Sequence, residues 1–235
     1  MTDFVCVNVG TKYPKSYTQT LYNMVKRNTT YDFKFYVITD QPDLYSESHF
    51  TPVEPITDDI GWWVKLQMYS KELLPPGDYL YCDLDVVIVD NIDCFFDHKP
   101  FGILRDFIRP DEGLLPGKEY NSSVVRFNNQ QTDGIWQYYL QNKKNWKQYQ
   151  KQIHFFGDQN VVSSYLNHYP DFCNHFPDSW AWSFKKGVDR GKHAGDRSEW
   201  FGRYPPDNGK ICIFHGEPNP TQVVNDFEWI GENYQ

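Results

Sequence analysis

The order of apolar runs and helical patterns predicts an α/β fold for this chain of 235 residues. A strand-like run over residues 4–9 is followed by a helical pattern from Ser16 and by a second strand-like run over residues 33–39. Strand, helix and strand in this order usually form parallel neighbours in one sheet. A third apolar run, residues 79–90, contains two aspartates. We therefore expect a central sheet flanked by helices, with ligands at the carboxyl ends of its strands.

The loop between the first strand and the first helix is the earliest candidate ligand site. Residues 10–15 read Gly-Thr-Lys-Tyr-Pro-Lys, which has too few glycines for a dinucleotide fingerprint or a P-loop. Loops at this position nevertheless bind phosphates and nucleosides in α/β proteins. Tyr13 is compatible either with stacking on a base or with packing inside the loop.

The next segment predicts a loop followed by a helix. Residues 40–61 are rich in proline and aspartate and resemble a loop. Four apolar residues then recur at helical spacing: Trp62, Leu66, Tyr69 and Leu73. Lys65 lies within the first turn of this predicted helix, where the pattern alone indicates a solvated side chain.

Asp83 and Asp85 occupy the middle of the apolar run at residues 79–90. Side chains two positions apart in a strand point the same way, so these carboxylates would share a face or meet at the strand end. Two carboxylates this close repel each other and resist leaving water. The pattern therefore indicates either a solvated strand end or a site for a divalent metal with oxygen ligands.

Three more strand-like runs follow, at residues 101–105, 120–128 and 211–214. The loop over residues 106–120 contains two prolines and two glycines and has the size of an active-site loop. One helix is expected from Asp133 to near residue 149. Another is expected to open at Asp158, which could serve simply as its N-cap.

Composition excludes several classes of protein. The net charge of −8 argues against a general nucleic-acid binder, which needs a basic surface. Aromatic residues make up 18% of the chain, more than a core needs, which favours a site that stacks on sugars or bases. The five cysteines are scattered without a Cys-x-x-Cys pair and indicate free thiols in a reducing compartment. Without an apolar stretch of membrane-spanning length or a leader pattern, we expect a cytoplasmic protein with no transmembrane segment.

One segment departs from the acidic character of the chain. Residues 177–209 contain three tryptophans and a local excess of lysine and arginine. Such a segment is usually a solvated loop. We also consider it a mobile loop that contacts an anionic substrate.

Four local motifs resemble those of one enzyme family and occur in the family's order. Residues 79–86, Tyr-Leu-Tyr-Cys-Asp-Leu-Asp-Val, resemble its strand that ends in Asp-x-Asp. Residues 121–128 resemble its Asn-[Ser/Ala]-Gly-Val-x-x-Phe-Asn segment, and residues 157–160 its Asp-Gln segment. Residues 214–220 resemble its C-terminal segment with histidine and Gly-x-x-Lys-Pro. The chain thus resembles nucleotide-sugar glycosyltransferases of the GT-A fold near family 8, the glycogenin and bacterial galactosyltransferase group. This resemblance implies a mixed, mostly parallel central sheet flanked by helices.

The resemblance also implies a role for each matching position. Asp83, Asp85 and His215 would hold Mn²⁺ or Mg²⁺ together with the diphosphate of the donor. Three residues would act near the reacting carbon of the donor sugar: Asn121, Asp158 and Gln159. Besides the two aspartates, contacts to the nucleotide or the donor are implied for Asn8, Val9, Gly10, Tyr13, Lys65, Leu84, Ser122, Gly216 and Asn219.

Three positions depart from the family pattern. Ser123 stands where the family usually has glycine, which would narrow the sugar pocket. Asn219 stands where the family has a lysine that touches phosphate, so phosphate contact would pass to the basic residues 185–203. Residues 8–10 lack the family's common acidic residue, which leaves the identity of the base open.

These features predict one GT-A domain over residues 1–235, with a nucleotide-binding half over 1–90 and a half for the donor sugar and acceptor over 91–235. The expected reaction transfers a hexose from a UDP-sugar to a carbohydrate or other hydroxyl acceptor, with metal dependence and retention. One alternative is a haloacid-dehalogenase-like phosphatase that uses Asp83 and Asp85. That motif belongs on the first strand of its fold, whereas two predicted strands precede it here. Another alternative is a module that binds a nucleotide sugar without turnover.

Overall fold

The computed structural model describes residues 2–107, 119–151, 157–187 and 203–235. The strands are β1 Thr2–Val7, β2 Phe35–Ile38, β3 Phe50–Val53, β4 Asp78–Cys82, β5 Val86–Ile88, β6 Gly102–Arg105, β7 Tyr120–Asn128, β8 Asn174–His175, β9 Ala181–Ser183 and β10 Ile211–Ile213. The α-helices are α1 Lys15–Arg27, α2 Asp93–Asp97, α3 Asn129–Tyr149, α4 Asp158–His168, α5 Pro220–Val223 and α6 Glu228–Asn233. Short 3₁₀ helices lie at Pro42–Tyr45, Gly61–Tyr69, Pro170–Phe172 and Asp178–Trp180.

The central sheet has seven strands in the order β3-β2-β1-β4-β7-β6-β8. β1 pairs in parallel with β2 and β4, β2 pairs in parallel with β3, and β6 pairs in parallel with β8. β7 is antiparallel to both of its neighbours, β4 and β6. A second sheet has the order β5-β10-β9. The predicted α/β fold with a mixed, mostly parallel central sheet is therefore confirmed.

Alternation along β1 divides the apolar residues between two cores. Phe4 and Cys6 face one core, which also contains residues of α1, the second sheet and α6. Val5 faces the other core, which contains residues of the 3₁₀ helix Gly61–Tyr69, α3 and α4. Both faces of the central sheet are thus covered, and this is why residues 4–7, 35–38 and 79–82 of its inner strands are apolar in succession.

Three local predictions are wrong. Residues 40–61 contain strand β3, which extends the edge of the central sheet. The helix predicted from Trp62 is a 3₁₀ helix, and all of its residues over 63–69 are buried. A segment buried on every side lacks the single apolar stripe that identifies an amphipathic α-helix. Helix α3 starts before Asp133, because the side chain of Asn128 caps it by accepting a backbone N–H of the first turn.

A buried aspartate anchors the loop that precedes the 3₁₀ helix Gly61–Tyr69. The Asp59 carboxylate lies 2.9 Å from the Nζ atoms of both Lys143 and Lys147 on α3. It also accepts hydrogen bonds from Tyr139 Oη at 3.1 Å and from Thr57 Oγ1 at 2.8 Å. Burial alone would raise the pKa of Asp59, but the bonds from the two lysines and Thr57 outweigh burial and lower it. The anchored loop leads directly into residues that line the site described below.

We expect Asp59→Asn to lower the free energy of unfolding at neutral pH by about 1–3 kcal/mol, because the charged hydrogen bonds to the lysines are lost. The carboxyl has a lowered pKa in the folded state, so its contribution is present at neutral pH and is lost as the pH falls below about 4. The difference in the free energy of unfolding between the wild type and Asp59→Asn should therefore shrink in acid, as measured by urea unfolding across pH. Asp58→Asn, at the exposed neighbouring position, is the control. Equal losses for both variants would contradict this anchoring role.

Candidate active site

Antiparallel pairing with β7 places the carboxyl end of β4 beside the start of β7. Cys82 lies opposite Val124, and the next residue, Asp83, donates its backbone N–H to the carbonyl of Ser123 at 2.8 Å. The start of β7 is polar, because Asn121 and its neighbouring serines precede the apolar part of the strand. The strand register therefore brings these polar residues to the same edge as Asp83.

The chain leaves the central sheet between the two aspartates. β5 begins at Val86, which lies opposite Ile213 in the antiparallel pair with β10. The next residue after β10, Phe214, donates its N–H to the carbonyl of Asp85 at 3.3 Å. His215 follows at once, so the same register carries it to the edge occupied by the aspartates.

A cavity of about 580 Å³ opens at this edge. All but two of the residues predicted for the site line it: Asn8, Val9, Tyr13, Lys65, Asp83, Leu84, Asp85, Asn121, Ser122, Asp158, Gln159, His215 and Gly216. The two exceptions are Gly10, whose N–H is bound by the Asp40 carboxylate at 3.0 Å, and Asn219, which is the N-cap residue of α5. One cavity thus collects residues from distant parts of the chain.

Lys65 joins two carboxylates inside this cavity. Its Nζ atom lies 2.9 Å from Asp83 Oδ1, 3.3 Å from Asp158 Oδ2 and 3.2 Å from Ser122 Oγ. The Lys65 side chain is only 7% exposed, so it is not the solvated lysine that the helical pattern alone indicates. Burial alone would lower the pKa of Lys65, but the carboxylates of Asp158 and Asp83 outweigh burial and raise it. The lysine is therefore a buried ammonium at neutral pH, stabilised by the two carboxylates.

Asp158 is held from two sides at the start of α4. It is the first residue of the helix, and the N-cap is Gly157, so Asp158 does not serve as the N-cap. Its Oδ2 accepts a hydrogen bond from Ser122 Oγ at 2.6 Å, in addition to the contact with Lys65. Burial raises the pKa of Asp158, although the Lys65 ammonium opposes this effect.

Amide hydrogen bonds connect three polar residues along one wall of the cavity. Asn121 Nδ2 donates to Gln159 Oε1 at 3.3 Å, and Gln159 Nε2 donates to Asp106 Oδ2 at 3.3 Å. Sequence analysis did not select Asp106, which lines the cavity directly after β6. Because β6 runs in the same direction as β4, the carboxyl-end rule for ligand sites could have found this residue.

Five other lining residues were also left out of the predicted site: Val7, Lys12, Gly61, Trp62 and Tyr81. Tyr81 donates its hydroxyl to Asp83 Oδ1 at 2.5 Å. It stands two positions before Asp83 on β4, so strand alternation placed both on one face and could have identified it. The Nζ atom of Lys12 lies 4.6 Å from the ring centre of Tyr13. The only signal for Lys12 in the sequence was its positive charge within the loop over residues 10–15.

The two aspartates of the Asp-x-Asp motif have different surroundings. Burial alone would raise the pKa of Asp83, but Lys65 and the Tyr81 hydroxyl outweigh burial and lower it. For Asp85, burial and the neighbouring Asp83 raise the pKa to about 6, while Tyr13 Oη donates to its Oδ2 at 3.0 Å. Only Asp83 has a buried cation beside it, so a further cation next to Asp85 would relieve the repulsion between the pair.

The chemistry of these side chains fits a divalent metal. Two carboxylates and an imidazole line the same cavity, and such oxygen and nitrogen ligands suit Mn²⁺ or Mg²⁺. Within the described ranges, however, no three His, Cys, Asp or Glu side chains are arranged to hold a metal ion together. The ring of His215 packs against Phe107, with ring centres 5.1 Å apart. Asp83 and Asp85 are therefore the candidate ligands, and the role of His215 stays a prediction.

Parts of two predicted loops lie outside the described residues. These are residues 108–118 of the predicted active-site loop and residues 188–202 of the predicted basic mobile loop. In the described part of the basic segment, Lys185 Nζ donates a hydrogen bond to the carbonyl of His215 at 2.7 Å. A lysine of this segment is thus bonded to a residue that lines the cavity.

A close contact between Gly157 and Trp62 shapes the cavity next to Asp158. Gly157 has a φ of +61°, a conformation that side-chain-bearing residues rarely adopt. A Cβ atom at this position would lie 2.4–2.5 Å from three atoms of the Trp62 indole. The five-membered ring of the indole therefore lies directly over the glycine.

We expect Lys65→Met to lower the free energy of unfolding by about 3–5 kcal/mol, because Asp83 and Asp158 lose the cation that compensates their burial. Urea unfolding at neutral pH measures the change. The control is Lys71→Met, which removes an exposed lysine 3.9 Å from Asp133 and should change stability by less than about 0.5 kcal/mol. A loss of that small size for Lys65→Met would refute the proposed compensation.

We expect Gly157→Ala to destabilise the protein by about 2–4 kcal/mol, the sum of backbone strain and a steric clash with the indole. Gly10→Ala is the matched control, because Gly10 has a φ of +70° but no atom within 4 Å of an added Cβ. It should show the strain without the clash. Adding Trp62→Ala to Gly157→Ala removes the clashing ring. The double variant should therefore recover the part of the stability that the clash cost, as measured by thermal unfolding. No recovery in the double variant would argue against the ring contact.

Similar solved structures are glycosyltransferases. The galactosyltransferase LgtC in complex with donor and acceptor sugar analogs aligns with a TM-score of 0.65 and 12% identity, covering 100% of this chain and 97% of that chain. GlyE of Streptococcus pneumoniae TIGR4 aligns with a TM-score of 0.61 and 12% identity, covering 94% of this chain and 56% of that chain. Mouse xyloside xylosyltransferase 1 in its apo form aligns with a TM-score of 0.53 and 13% identity, covering 92% of this chain and 98% of that chain.

At the level of sequence, no protein-family model and no curated protein matches the chain. The similarity therefore lies in the three-dimensional arrangement, which the chain shares with these structures over nearly its whole length. The seven-stranded, mostly parallel central sheet with flanking helices matches that arrangement. The chain has the GT-A glycosyltransferase fold and resembles family 8.

Proposed function

We propose that this protein is a metal-dependent glycosyltransferase that moves a hexose from a UDP-sugar to a hydroxyl acceptor, with retention at the anomeric carbon. One observation carries the proposal: a single cavity collects Asp83, Asp85, Asn121, Asp158 and Gln159 in a GT-A fold. In this proposal residues 1–90 bind the nucleotide, and residues 91–235 bind the donor sugar and the acceptor.

The carboxylate pair and the nearby cations suit a diphosphate. A bound Mn²⁺ or Mg²⁺ would neutralise the charge that grows on the leaving nucleoside diphosphate. Asp83 and Asp85 are the residues that would hold it. Lys12 lines the same cavity and can supply the phosphate contact that asparagine at position 219 does not. Lys185, in the predicted basic segment, is bonded to the carbonyl of the lining residue His215. The Tyr13 side of the cavity, next to the end of β1, would take the nucleoside.

The wall formed by Asn121, Gln159 and Asp106 would bind the donor sugar. Its amide and carboxylate groups are already aligned by hydrogen bonds, so little reorganisation is needed to bind hydroxyl groups. Asp158 is bonded to Lys65 and Ser122, which suits a residue that orients and stabilises the sugar as positive charge develops. The acceptor oxygen bonds to the anomeric carbon while the bond to the diphosphate oxygen breaks. The diphosphate leaves with the electron pair and takes the acceptor proton.

Two alternatives are distinguished by experiment. A haloacid-dehalogenase-like phosphatase would use Asp83 as a nucleophile, but the Lys65 and Tyr81 bonds occupy its Oδ1 and the fold is that of glycosyltransferases. A module that binds nucleotide sugars without turnover would keep the cavity and show no transfer.

The compartment is also part of the proposal. The five cysteines are free thiols, and three of them are buried. Free thiols support a reducing compartment, for which we propose the cytoplasm. Among the described helices, none has the length and apolar character needed to cross a bilayer.

The first test is thermal unfolding with a panel of nucleotide sugars, each with and without Mn²⁺. We expect the melting temperature to rise only when a UDP-sugar and the metal are both present. At a hundredfold excess over Kd the stabilisation should be about 2.7 kcal/mol. Asp85→Asn should lose the metal-dependent part of the shift, because one of the two carboxylate ligands is gone. Asp90→Asn is the control, since that aspartate is 58% exposed and outside the cavity.

Three outcomes would change the proposal. No shift with any nucleotide sugar would contradict it. Hydrolysis of an aryl phosphate with Mg²⁺, together with a trapped phosphoryl group on Asp83, would support the phosphatase. A metal-dependent shift without release of UDP, across a wide range of hydroxyl acceptors, would support the binding module. Chromatographic analysis of the product's anomeric configuration tests retention.

A further inference from the structure

We infer that Trp62, at the mouth of the cavity, is the stacking platform for the acceptor, and that the acceptor is an uncharged sugar. The inference rests on the proposed glycosyltransferase function and names the substrate class that the same site would accept. It is carried by the anchoring of the loop before Trp62, by the exposure of the ring, and by the charge around it.

The loop that presents Trp62 is held rigidly. The side-chain oxygen of Gln67 accepts the backbone N–H groups of Ile56 at 2.7 Å and of Thr57 at 3.3 Å. The buried Asp59 carboxylate fixes the middle of the same loop to α3. A rigid support is what a binding platform needs, because a ligand then orders few side chains on binding.

Large apolar surface is nevertheless left in solvent at the end of this anchored loop. Ile60 is 78% exposed and Trp62 is 44% exposed. One face of the Trp62 five-membered ring is covered by Gly157, whose missing Cβ allows that contact. The ring is therefore fixed in orientation while much of it stays accessible. An indole held in this way offers a flat apolar surface to the apolar face of a sugar ring.

The depth of the residues separates the acceptor from the donor. Asn121 and Asp158, which would contact the donor sugar, are 3% and 7% exposed and lie deep in the cavity. Trp62 lines the same cavity but is half-exposed, so it lies between those residues and solvent. An acceptor must reach the donor sugar from the solvent side. Trp62, which packs on Gly157, the residue before Asp158, is thus placed along the acceptor's path.

The charge next to this platform selects against anions. A second cavity of about 360 Å³ shares Gly61 with the first and also contains Ile60. Its described lining includes no lysine, arginine or histidine, and besides Asp59, whose charge is paired with Lys143 and Lys147, it includes three acidic residues: Asp40, Glu54 and Asp58. An acceptor that extends past Trp62 along this side meets negative potential, which disfavours a uronic acid or a phosphorylated sugar. An uncharged glycan is the substrate class that fits both surfaces.

The test compares acceptor and donor kinetics of Trp62→Ala, Trp62→Phe and the wild type. The donor is the nucleotide sugar found by thermal unfolding, and the probes are methyl β-galactoside, methyl β-lactoside and methyl β-glucuronide. We expect the neutral glycosides to be used in preference to the glucuronide. Trp62→Ala should raise KM for the neutral acceptor about tenfold, well beyond any rise in KM for the donor. Trp62→Phe keeps an aromatic face and should recover most of the loss.

The matched control is Tyr149→Ala, which removes an aromatic side chain of equal exposure, 44%, outside the cavity. It should change neither KM. Equal rises in donor and acceptor KM for Trp62→Ala, or no rise in acceptor KM, would overturn the inference. A wild type that consumes donor but transfers only to the glucuronide, or to none of the glycosides, would overturn it too, while the proposed function stands. Absence of any donor binding in the thermal assay identifies failure of the proposed function itself.

Discussion

The buried ammonium of Lys65 is the interaction on which the rest of the site depends. It connects a 3₁₀ helix, the end of β4, the start of β7 and the first turn of α4, four elements that are far apart in sequence. Without it, two carboxylates would face each other in a region with little water, at a cost that few local interactions could offset. The cation therefore allows an acidic cavity to exist in the folded protein, and its position determines where the carboxylates point.

Much of the fold could be read from the sequence because strands and their polar ends follow simple rules. The nine-residue strand β7 and the strand before Asp83 were both predicted close to their observed bounds. The grouping of Asp83 with Asn121 and Asp158 came from motif resemblance, and these three residues line one cavity. Their individual roles in binding and transfer stay predictions.

What the sequence could not show depends on long-range packing. Residues 63–69 of the 3₁₀ helix Gly61–Tyr69 are all buried, so the apolar spacing of the segment carried no information about which face is exposed. Lys65 therefore resembled a surface residue until the partners that bury it were known. Trp62 likewise resembled a core position from its spacing, although it is half-exposed. The position of its ring is set by contact with Gly157, almost a hundred residues away, which the local sequence does not reveal. Edge strand β3 was missed for the same reason, since its identity as a strand comes from pairing with β2.

The passage of the chain from one sheet to the other between Asp83 and Asp85 has a mechanical meaning. Asp83 is bonded to the central sheet through β7, whereas the backbone of Asp85 is bonded to the end of β10 in the second sheet. Any ligand that binds both carboxylates is consequently a further link between two sheets whose apolar side chains pack in one core. Substitutions that loosen the packing between the sheets would then weaken ligand binding without touching the cavity. Ligand binding would in turn slow the local opening of β9 and β10, in addition to the opening of the residues that contact the ligand.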